Sequence, residues 1–373
     1  MGEAVAALAL GVIALLFAGV LPALLGALGE EHRLTASGFG LTATAEGLAM
    51  ASPRPLPESC CRRVISSLSA RVPPWRWPRS TFPRCTPPGR RIMAIRALAG
   101  VAEGILLWIV TGMIARTAMP ERWAGIYFTA LCAGQMVAAL LFAVWILPDF
   151  GADGGFAALG LASVAGIAAA FFLPERFAPL STDESLSGAP PPRGWFALFA
   201  ALIYLGATAT VGVYLEPLAQ QAGLSADVAR TAVWTSLAAQ IAGGAFSTVL
   251  AGHVRWLTVF VGCTVAFLVN WGVFLLHAPG WAFIAANALG GFVGILVAAF
   301  IVPMTIEADP SRRAAVLGGS TQVLAGALGP FAASFVVADD DVHGAILLGT
   351  VSLFAGLALI AGLHVTAPKA SAR

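Results

Sequence analysis

Eleven apolar runs of about twenty residues recur along this chain, and they constrain the fold more than any other feature. Each run can cross the hydrocarbon core of a bilayer as a helix, which rises about 1.5 Å per residue. The runs lie at residues 4–28, 34–51, 93–115, 123–147, 154–173, 195–216, 226–250, 256–276, 280–303, 313–337 and 343–365. We therefore predict an all-α polytopic membrane protein.

The composition supports this prediction, because 58% of the residues are hydrophobic, only 11% are charged and the mean hydropathy is +0.85. Soluble domains carry about 25% charged residues. No soluble domain of any size remains once the apolar runs are removed. The net charge of +2 is too small to indicate a nucleic-acid partner. The apolar runs instead predict that the protein is surrounded by a lipid bilayer.

The two halves of the chain repeat each other. Pro22 and the later Leu34-Thr35-Ala36 match Pro217 and the later Leu224-Ser225-Ala226, and residues 120–124 match 310–314. The offset is 190 to 195 residues (310−120, 224−34, 217−22). In the first pair a hydroxyl residue stands where the next helix needs an N-cap, and we expect Ser225 to cap its helix. Duplicated bundles with a site between them are the general plan of secondary transporters.

A polar linker separates the two halves. It covers residues 174–194 and includes three consecutive prolines from Pro190 to Pro192. We therefore predict an N-terminal helical bundle at 1–173 and a C-terminal helical bundle at 195–373.

Loop charges predict the orientation in the membrane, because Lys and Arg are enriched in cytoplasmic loops. One set of alternating loops and the C-terminal tail carry Arg116, Arg122, Arg176, Arg193, Arg255, Arg312, Arg313, Lys369 and Arg373. The intervening loops carry Glu30, Glu31, Asp149, Asp153, Asp339, Asp340 and Asp341, with Arg33 and Arg230 as exceptions. This pattern predicts an inner-membrane protein with both termini in the cytoplasm.

That orientation requires an even number of crossings, whereas eleven are recognisable. The missing crossing should lie at 52–91, which instead holds nine arginines and nine of the 23 prolines. Proline breaks helices and arginine is costly at membrane depth, so this segment does not read as a span. Twelve crossings are therefore expected, with the third missing or corrupted.

A shift of reading frame explains this segment. Codons for Pro and Arg mostly begin with C and those for Ser, Cys, Trp and Phe mostly begin with T, so regrouping by one base turns them into small and apolar residues. Residues 58–61 and 72–79 then become apolar runs. We hypothesise that 52–91 is translated out of frame between two compensating indels, and a stop codon or a polar product in the shifted frame would refute this. The alternative is a basic disordered cytoplasmic loop.

The run at 93–116 carries charges that a lipid-facing helix would not tolerate. Arg96 and Glu103 stand seven residues apart and therefore share one helical face. Gly100 and Gly104 continue that face and allow close approach of a neighbour. Charges at membrane depth usually face protein or a water-filled path, so we predict a role in transport or proton coupling. For Arg96 the alternative is a helix-end side chain that snorkels to the interface.

These features together resemble the major facilitator superfamily: two bundles, a cytoplasmic linker and the motif Arg96-x-x-x-Gly100-x-x-x-Gly104. The resemblance covers the chain except 52–91 and implies two six-helix bundles that work by alternating access. It also implies that Arg96 takes part in proton transfer, as the arginine of the similar fourth-helix motif does in proton-coupled members. The family's Gly-Pro motif of helix five is absent, which places drug efflux in doubt.

Further candidates are polar or small residues inside the apolar runs. Glu46 joins Arg96 and Glu103 as a proton-coupling candidate if its helix continues past Met50. The substrate-cavity candidates, each of which could equally bridge helices, are Gln135, Tyr204, Gln240 and Asn287. Close-packing or hinge positions are Gly100, Gly104, Gly290, Gly291, Gly294 and Pro330. A loop charge cluster, with gating as the lesser alternative, comprises Glu307, Asp309, Arg312 and Arg313.

The sequence contains none of the motifs of a membrane enzyme or an ATP-driven pump. It has no HExxH, no Walker A and no pair of histidines within the spans, so we predict no catalytic residue, no metal and no cofactor. We expect a monomeric secondary transporter of a small solute, with proton coupling as a hypothesis. The alternative is a permease-like membrane protein that does not transport, or is defective because of 52–91.

Overall fold

The structure is a computed structural model that describes residues 2–31, 36–51, 88–173, 189–276, 278–338 and 341–366. Within these ranges the elements are helices and no strand occurs, which confirms the all-α prediction. The helices are α1 (Gly2–Glu30), α2 (Ala36–Ala51), α3 (Pro88–Arg116), α4 (Pro120–Leu141), α5 (Leu147–Ala170), α6 (Pro192–Gly212), α7 (Leu215–Gln221), α8 (Ala226–Leu250), α9 (Trp256–Leu275), α10 (Gly280–Ala308), α11 (Arg313–Ala333) and α12 (His343–Val365).

Every predicted span overlaps one of these helices. In the described ranges, eight helical runs are long and apolar enough to cross a membrane, with Pro120–Gly166 counted as one run. The count of eleven crossings stays a prediction.

Helix α3 begins earlier than predicted. It starts at Pro88 rather than at residue 93, so residues 88–91 of the anomalous segment are helical. Proline suits the first turn of a helix, where its missing N–H has no partner to lose. Residues 52–87 lie outside the described ranges, and the reading-frame hypothesis for them stays a prediction.

No loop separates the fourth and fifth predicted spans. Helix α4 runs through a π-helical turn at Phe142–Ile146 directly into α5. The backbone breaks instead at Gly151, whose φ of 61° and ψ of −163° suit glycine. Beyond the break, the N–H of Ala152 donates to Oε1 of Glu31 at 2.7 Å, so Glu31 caps the start of the second segment.

The N-cap of α8 differs in one detail from the prediction. Ser225 stands there with an extended backbone, as predicted, but its side chain makes no capping hydrogen bond. The expected hydroxyl cap was therefore wrong, although the expected start of the helix at residue 226 was right.

Contacts divide the chain into two units. The first comprises Met1–Met113 and Gly134–Pro179, and the second comprises Ile114–Ala133 and Leu180–Arg373. One boundary falls in the predicted linker at 174–194. Residues 114–133, around the α3–α4 junction, group with the second unit, and the bounds of the two bundles stay a prediction.

The core of the first unit is a cluster of aliphatic and aromatic side chains from α1 and the joined helices α4 and α5. Val20, Leu24 and Leu28 of α1 are fully buried in it, together with Phe142 and Ala152. The spacing of the α1 residues by four places them on one face of the helix. Burial of this face fixes α1 against the junction at which α4 becomes α5.

Close approach at small residues organises the second unit. A Cβ atom at Gly356 of α12 would lie 2.8 Å from the Cα of Tyr204 on α6. At Gly291 of α10 it would lie 2.6 Å from the backbone oxygen of Ser236 on α8. Helices that pack in lipid use such positions because van der Waals contact replaces the hydrophobic driving force.

Large apolar side chains project outward from helices of both units, which is the distribution expected of a surface solvated by lipid tails. Examples with half or more of their surface exposed are Leu98, Phe150, Leu161, Phe199, Val265, Trp281 and Leu347.

Candidate functional site

Three charged side chains meet inside the first unit. Arg96 of α3 donates from Nε to Oε2 of Glu46 on α2 at 2.9 Å, and its Nη2 donates to Oε1 of the same carboxylate. Nη2 also donates to Oε1 of Glu103, two turns further along the same face of α3, at 3.3 Å. Arg96 therefore forms a bidentate pair with Glu46 and a second ion pair with Glu103. We call these three residues the charged triad.

Two members of the charged triad are buried, and the third, Glu103, is partly buried. Glu46 is 4% exposed and Arg96 is 8% exposed, so the arginine does not snorkel to an interface and that alternative was wrong. Oε2 of Glu103 is buried and has no hydrogen-bond partner among the described residues. Buried polar atoms normally have partners, and an atom without one is a place where a proton or a bound group can add an interaction.

Gly100 and Gly104 explain why α2 comes near enough for Glu46 to reach Arg96. A Cβ atom at Gly100 would lie 2.5 Å from the backbone oxygen of Glu46 and 3.2 Å from the Cβ of Ala49. At Gly104 it would lie 3.1 Å from the Cα of Met50 and closer still to the Met50 oxygen. The two glycines, one turn apart, thus let the backbone of α2 rest on α3.

The formal charges of the charged triad indicate that it can bind a proton. Two ionised carboxylates and one guanidinium leave a formal charge of −1, and an unpaired buried charge is costly. Binding of one proton makes the triad neutral without breaking the bidentate pair, because Glu103 has a free carboxylate oxygen. The arrangement therefore suits reversible uptake of a single positive charge.

No protein-family model and no curated protein matches the sequence. Solved structures do match. The chain is similar to the crystal structure of the human organic anion transporter MFSD10 (TETRAN), with a TM-score of 0.66 and 14% identity over 97% of each chain. It is also similar to the major facilitator superfamily transporter FucP in the outward conformation, with a TM-score of 0.64 and 12% identity over 96% of this chain and 98% of that one.

A third match is a bacterial homologue of the iron transporter ferroportin in the outward-facing state, with a TM-score of 0.67 and 12% identity over 98% of each chain. The chain has the major facilitator fold. Because this likeness spans nearly the whole of each partner, the predicted resemblance is confirmed at the level of the fold, and Arg96, Gly100 and Gly104 stand in an integral membrane protein of that fold.

Within the major facilitator fold, the two glutamines among the cavity candidates make contacts between helices. Nε2 of Gln135 donates to the backbone oxygen of Leu15 on α1 at 2.8 Å. Oε1 of Gln240 on α8 accepts from the thiol of Cys132 on α4 at 3.8 Å. Both side chains are partly buried. Their role in lining a substrate cavity stays a prediction.

The other two cavity candidates also bridge helices. Tyr204 is fully buried, and its hydroxyl lies 2.9 Å from Oγ1 of Thr264 and 3.2 Å from the backbone oxygen of Phe260. Nδ2 of Asn287 donates to the backbone oxygen of Ala232 at 2.7 Å. The structure thus joins the three charged candidates in one site and places the four neutral ones at separate helix contacts.

Replacement of Tyr204 by Phe tests which role its hydroxyl has. We expect a loss of about 0.5 to 1 kcal/mol in stability, the usual worth of one hydrogen bond between membrane helices, with the KM for solute unchanged. Thermal unfolding in detergent and solute uptake measure the two quantities. A several-fold increase in KM at unchanged stability would support a cavity role instead.

The proposed packing and hinge positions differ in how closely they contact neighbouring helices. Gly290 and Gly291 lie against Asn270 and Ser236, as close packing requires. At Gly294 a Cβ atom would have no neighbour within 4 Å among the described residues, so the expectation of close packing there was wrong. Pro330 lies inside α11, where it removes one backbone hydrogen bond, and its role as a hinge stays a prediction.

A cavity of about 290 Å³ in the second unit, lined by several charged and aromatic side chains, was not foreseen from the sequence. Its lining includes Glu121, His253, Arg255, Trp256, Glu307 and His364. Nε1 of Trp256 donates to Oε2 of Glu307 at 2.6 Å, and the residues come from distant parts of the chain, which sequence spacing does not reveal. Within the described ranges no three His, Cys, Asp or Glu side chains are grouped so that they could hold a metal ion.

Proposed function

We propose that this protein is a secondary active transporter that moves a small solute across the inner membrane by alternating access and couples this movement to protons. Both termini lie in the cytoplasm, and the protein acts as a monomer without nucleic acid or a cofactor. The major facilitator fold supports the transporter class, and the alternating loop charges support the orientation.

The observation that carries proton coupling is the charged triad. Arg96 holds Glu46 through two hydrogen bonds and Glu103 through one. Glu46 is therefore the permanent counter-ion of Arg96, and Glu103 is the group that binds and releases the proton. Each arrival of a proton removes a net buried charge, and each departure restores it, so the energy of the site depends on the protonation state.

The similar transporters differ in the cargoes that their names mention, namely organic anions and iron. They support a small solute without selecting one. A ligand-stabilisation screen on the purified protein supplies the solute for the transport measurements below.

Replacement of Glu103 by Gln is expected to separate solute movement from proton coupling. Glutamine resembles the protonated carboxyl group but binds no proton. In proteoliposomes with a gradient of about one pH unit, coupling to one proton allows solute to accumulate up to about tenfold, because about 1.4 kcal/mol corresponds to a factor of ten. We expect Glu103→Gln to lose this accumulation while it retains counterflow of solute at equal pH.

Glu121→Gln is the matched control, because Glu121 is a partly exposed carboxylate in the first turn of α4. It should accumulate solute as the parent does. Accumulation by Glu103→Gln at the parent level would contradict proton coupling through this residue.

The alternative of a defective permease is tested with the same vesicles. A version of the chain in which residues 52–91 are replaced by the product of the shifted frame is compared with the chain as it stands. Transport by the restored version alone would support the alternative, and transport by both would support the proposed function.

A further inference from the structure

The cavity of the second unit lies where helices end or begin. Its walls include Trp256 at the start of α9, Glu307 near the end of α10 and His364 in the last turn of α12. We call it the helix-end cavity. Its volume of about 290 Å³ is close to the lower limit for small-molecule pockets, which is about 300 Å³. It can therefore hold only a small ligand.

The carboxylate of Glu307 has one oxygen fixed and one oxygen vacant. Nε1 of Trp256 donates to Oε2 at 2.6 Å, which orients the carboxylate. Oε1 lies 3.8 Å from Nδ1 of His364, too far for a hydrogen bond, and no described residue donates to it. Glu307 is exposed, so a ligand has access to this vacant oxygen.

The imidazole of His364 supplies a second vacant atom. Its Nδ1 is buried and has no hydrogen-bond partner among the described residues. In the neutral tautomer with the proton on Nε2, this nitrogen is a hydrogen-bond acceptor. The ring stands edge-on to Trp256 at a centroid distance of 5.3 Å and an angle of 85°, which fixes its place. Two vacant acceptors are thus held 3.8 Å apart.

An ammonium group fits these two acceptors better than other polar groups do. It has several N–H donors and no acceptor, so one nitrogen can donate to both vacant atoms. Its charge strengthens the bond to a carboxylate, and the face of a tryptophan attracts a cation within about 6 Å. An anion would instead lie against the charge of Glu307. The chemistry of the cavity therefore favours a cationic donor.

We propose that the helix-end cavity binds a small primary amine, whose ammonium group donates to Oε1 of Glu307 and Nδ1 of His364 beside Trp256. Cargo sites of secondary transporters lie near the middle of the bilayer, whereas these three residues stand at helix ends. They belong to the second unit, and the charged triad belongs to the first. The cavity is thus an accessory site, and it does not depend on the proposed function.

Arg255 also lines the helix-end cavity and opposes the binding of a cation. Its side chain is exposed, and it forms no ion pair with Glu307 in the described ranges. Replacement of Arg255 by Gln removes a like charge, so we expect it to tighten amine binding about threefold. A purely structural role of Arg255 would predict weaker or unchanged binding instead.

The experiment measures equilibrium binding of radiolabelled propylamine to the full chain in phosphatidylcholine nanodiscs at neutral pH. Glu307→Gln keeps an acceptor for Trp256 but removes the charge, and we expect the Kd to rise about tenfold, as loss of a charged hydrogen bond predicts. His364→Phe keeps a ring beside Trp256 and should raise the Kd about threefold. Glu216→Gln is the control, because Glu216 is an exposed carboxylate in the first turn of α7.

Three results would overturn the proposal. The first is an unchanged Kd in Glu307→Gln. The second is a loss of binding in Glu103→Gln alone, which would place the amine at the charged triad. The third is equal competition by 1-propanol, which has the same carbon chain without a charge. Tighter binding by Arg255→Gln supports the proposal and cannot arise from a folding defect.

The ammonium group can come from a free amine or from the headgroup of phosphatidylethanolamine. Nanodiscs that contain this lipid distinguish the two sources. Weaker propylamine binding in them than in pure phosphatidylcholine assigns the site to the headgroup, and equal binding assigns it to a free amine. Either result upholds a site for a primary ammonium group in the helix-end cavity.

Discussion

Replacement of Arg96 by Met is expected to destabilise the protein by about 3 to 5 kcal/mol, because removal of one partner leaves buried charges uncompensated. Arg96 is the cation shared by Glu46 and Glu103, and it is buried together with Glu46, whereas Glu103 is partly buried. Methionine fills similar space without a charge, so the loss reports electrostatics rather than a cavity. Thermal unfolding in detergent measures the effect.

Rescue distinguishes this explanation from a general packing defect. The triple variant Arg96→Met, Glu46→Gln, Glu103→Gln carries no charge at the site and should regain most of the lost stability. It should remain unable to couple solute to protons, because no group is left to bind one. Arg122→Met is the control, since Arg122 is exposed near the start of α4 and should change stability by less than about 0.5 kcal/mol. Equal melting of the Arg96 and Arg122 variants would contradict a buried ionic site.

Replacement of Gly104 by Ala is expected to cost about 1 to 3 kcal/mol, the usual penalty for overpacking. The added methyl group would overlap the backbone of α2 at Met50, and backbone atoms do not move aside as a flexible side chain does. The helices must then move apart, which lengthens the contact between Arg96 and Glu46. Both stability and proton-coupled accumulation should fall.

Gly294→Ala is the matched control for this substitution. Gly294 lies in α10, and a Cβ there would have no neighbour within 4 Å among the described residues. Alanine has the higher helix propensity, so this variant should be as stable as the parent or slightly more stable. If the two alanine variants unfold alike, close approach of α2 and α3 does not hold the site together.

Arg96 shows how far local spacing can predict a site. Arg96 and Glu103 share one helical face because of their spacing, and the structure confirms their contact. The sequence also placed Glu46 among the candidates, on the condition that its helix continues past Met50. Its pairing with Arg96 was not predicted, since the two residues are fifty positions apart and no periodic pattern links α2 to α3.

The four neutral candidates show the opposite case. The sequence predicts polar groups within the spans, but it gives no partner for them. The structure supplies partners on other helices, such as Leu15 for Gln135 and Ala232 for Asn287. A backbone oxygen has the same chemistry at every position, so its side-chain partner is decided only by which helices pack together.

The sequence by itself determined the class of fold, the positions of the helices and the shared face of Arg96 and Glu103. Backbone groups in lipid must be bonded within their own segment, so apolar runs of sufficient length specify helices without any tertiary information. Only the tertiary structure decided that Glu46 completes the charged triad and that Arg312 binds the end of α3, 197 positions away. Such contacts depend on where small residues let helices approach, and periodicity within one helix does not specify the neighbouring helix.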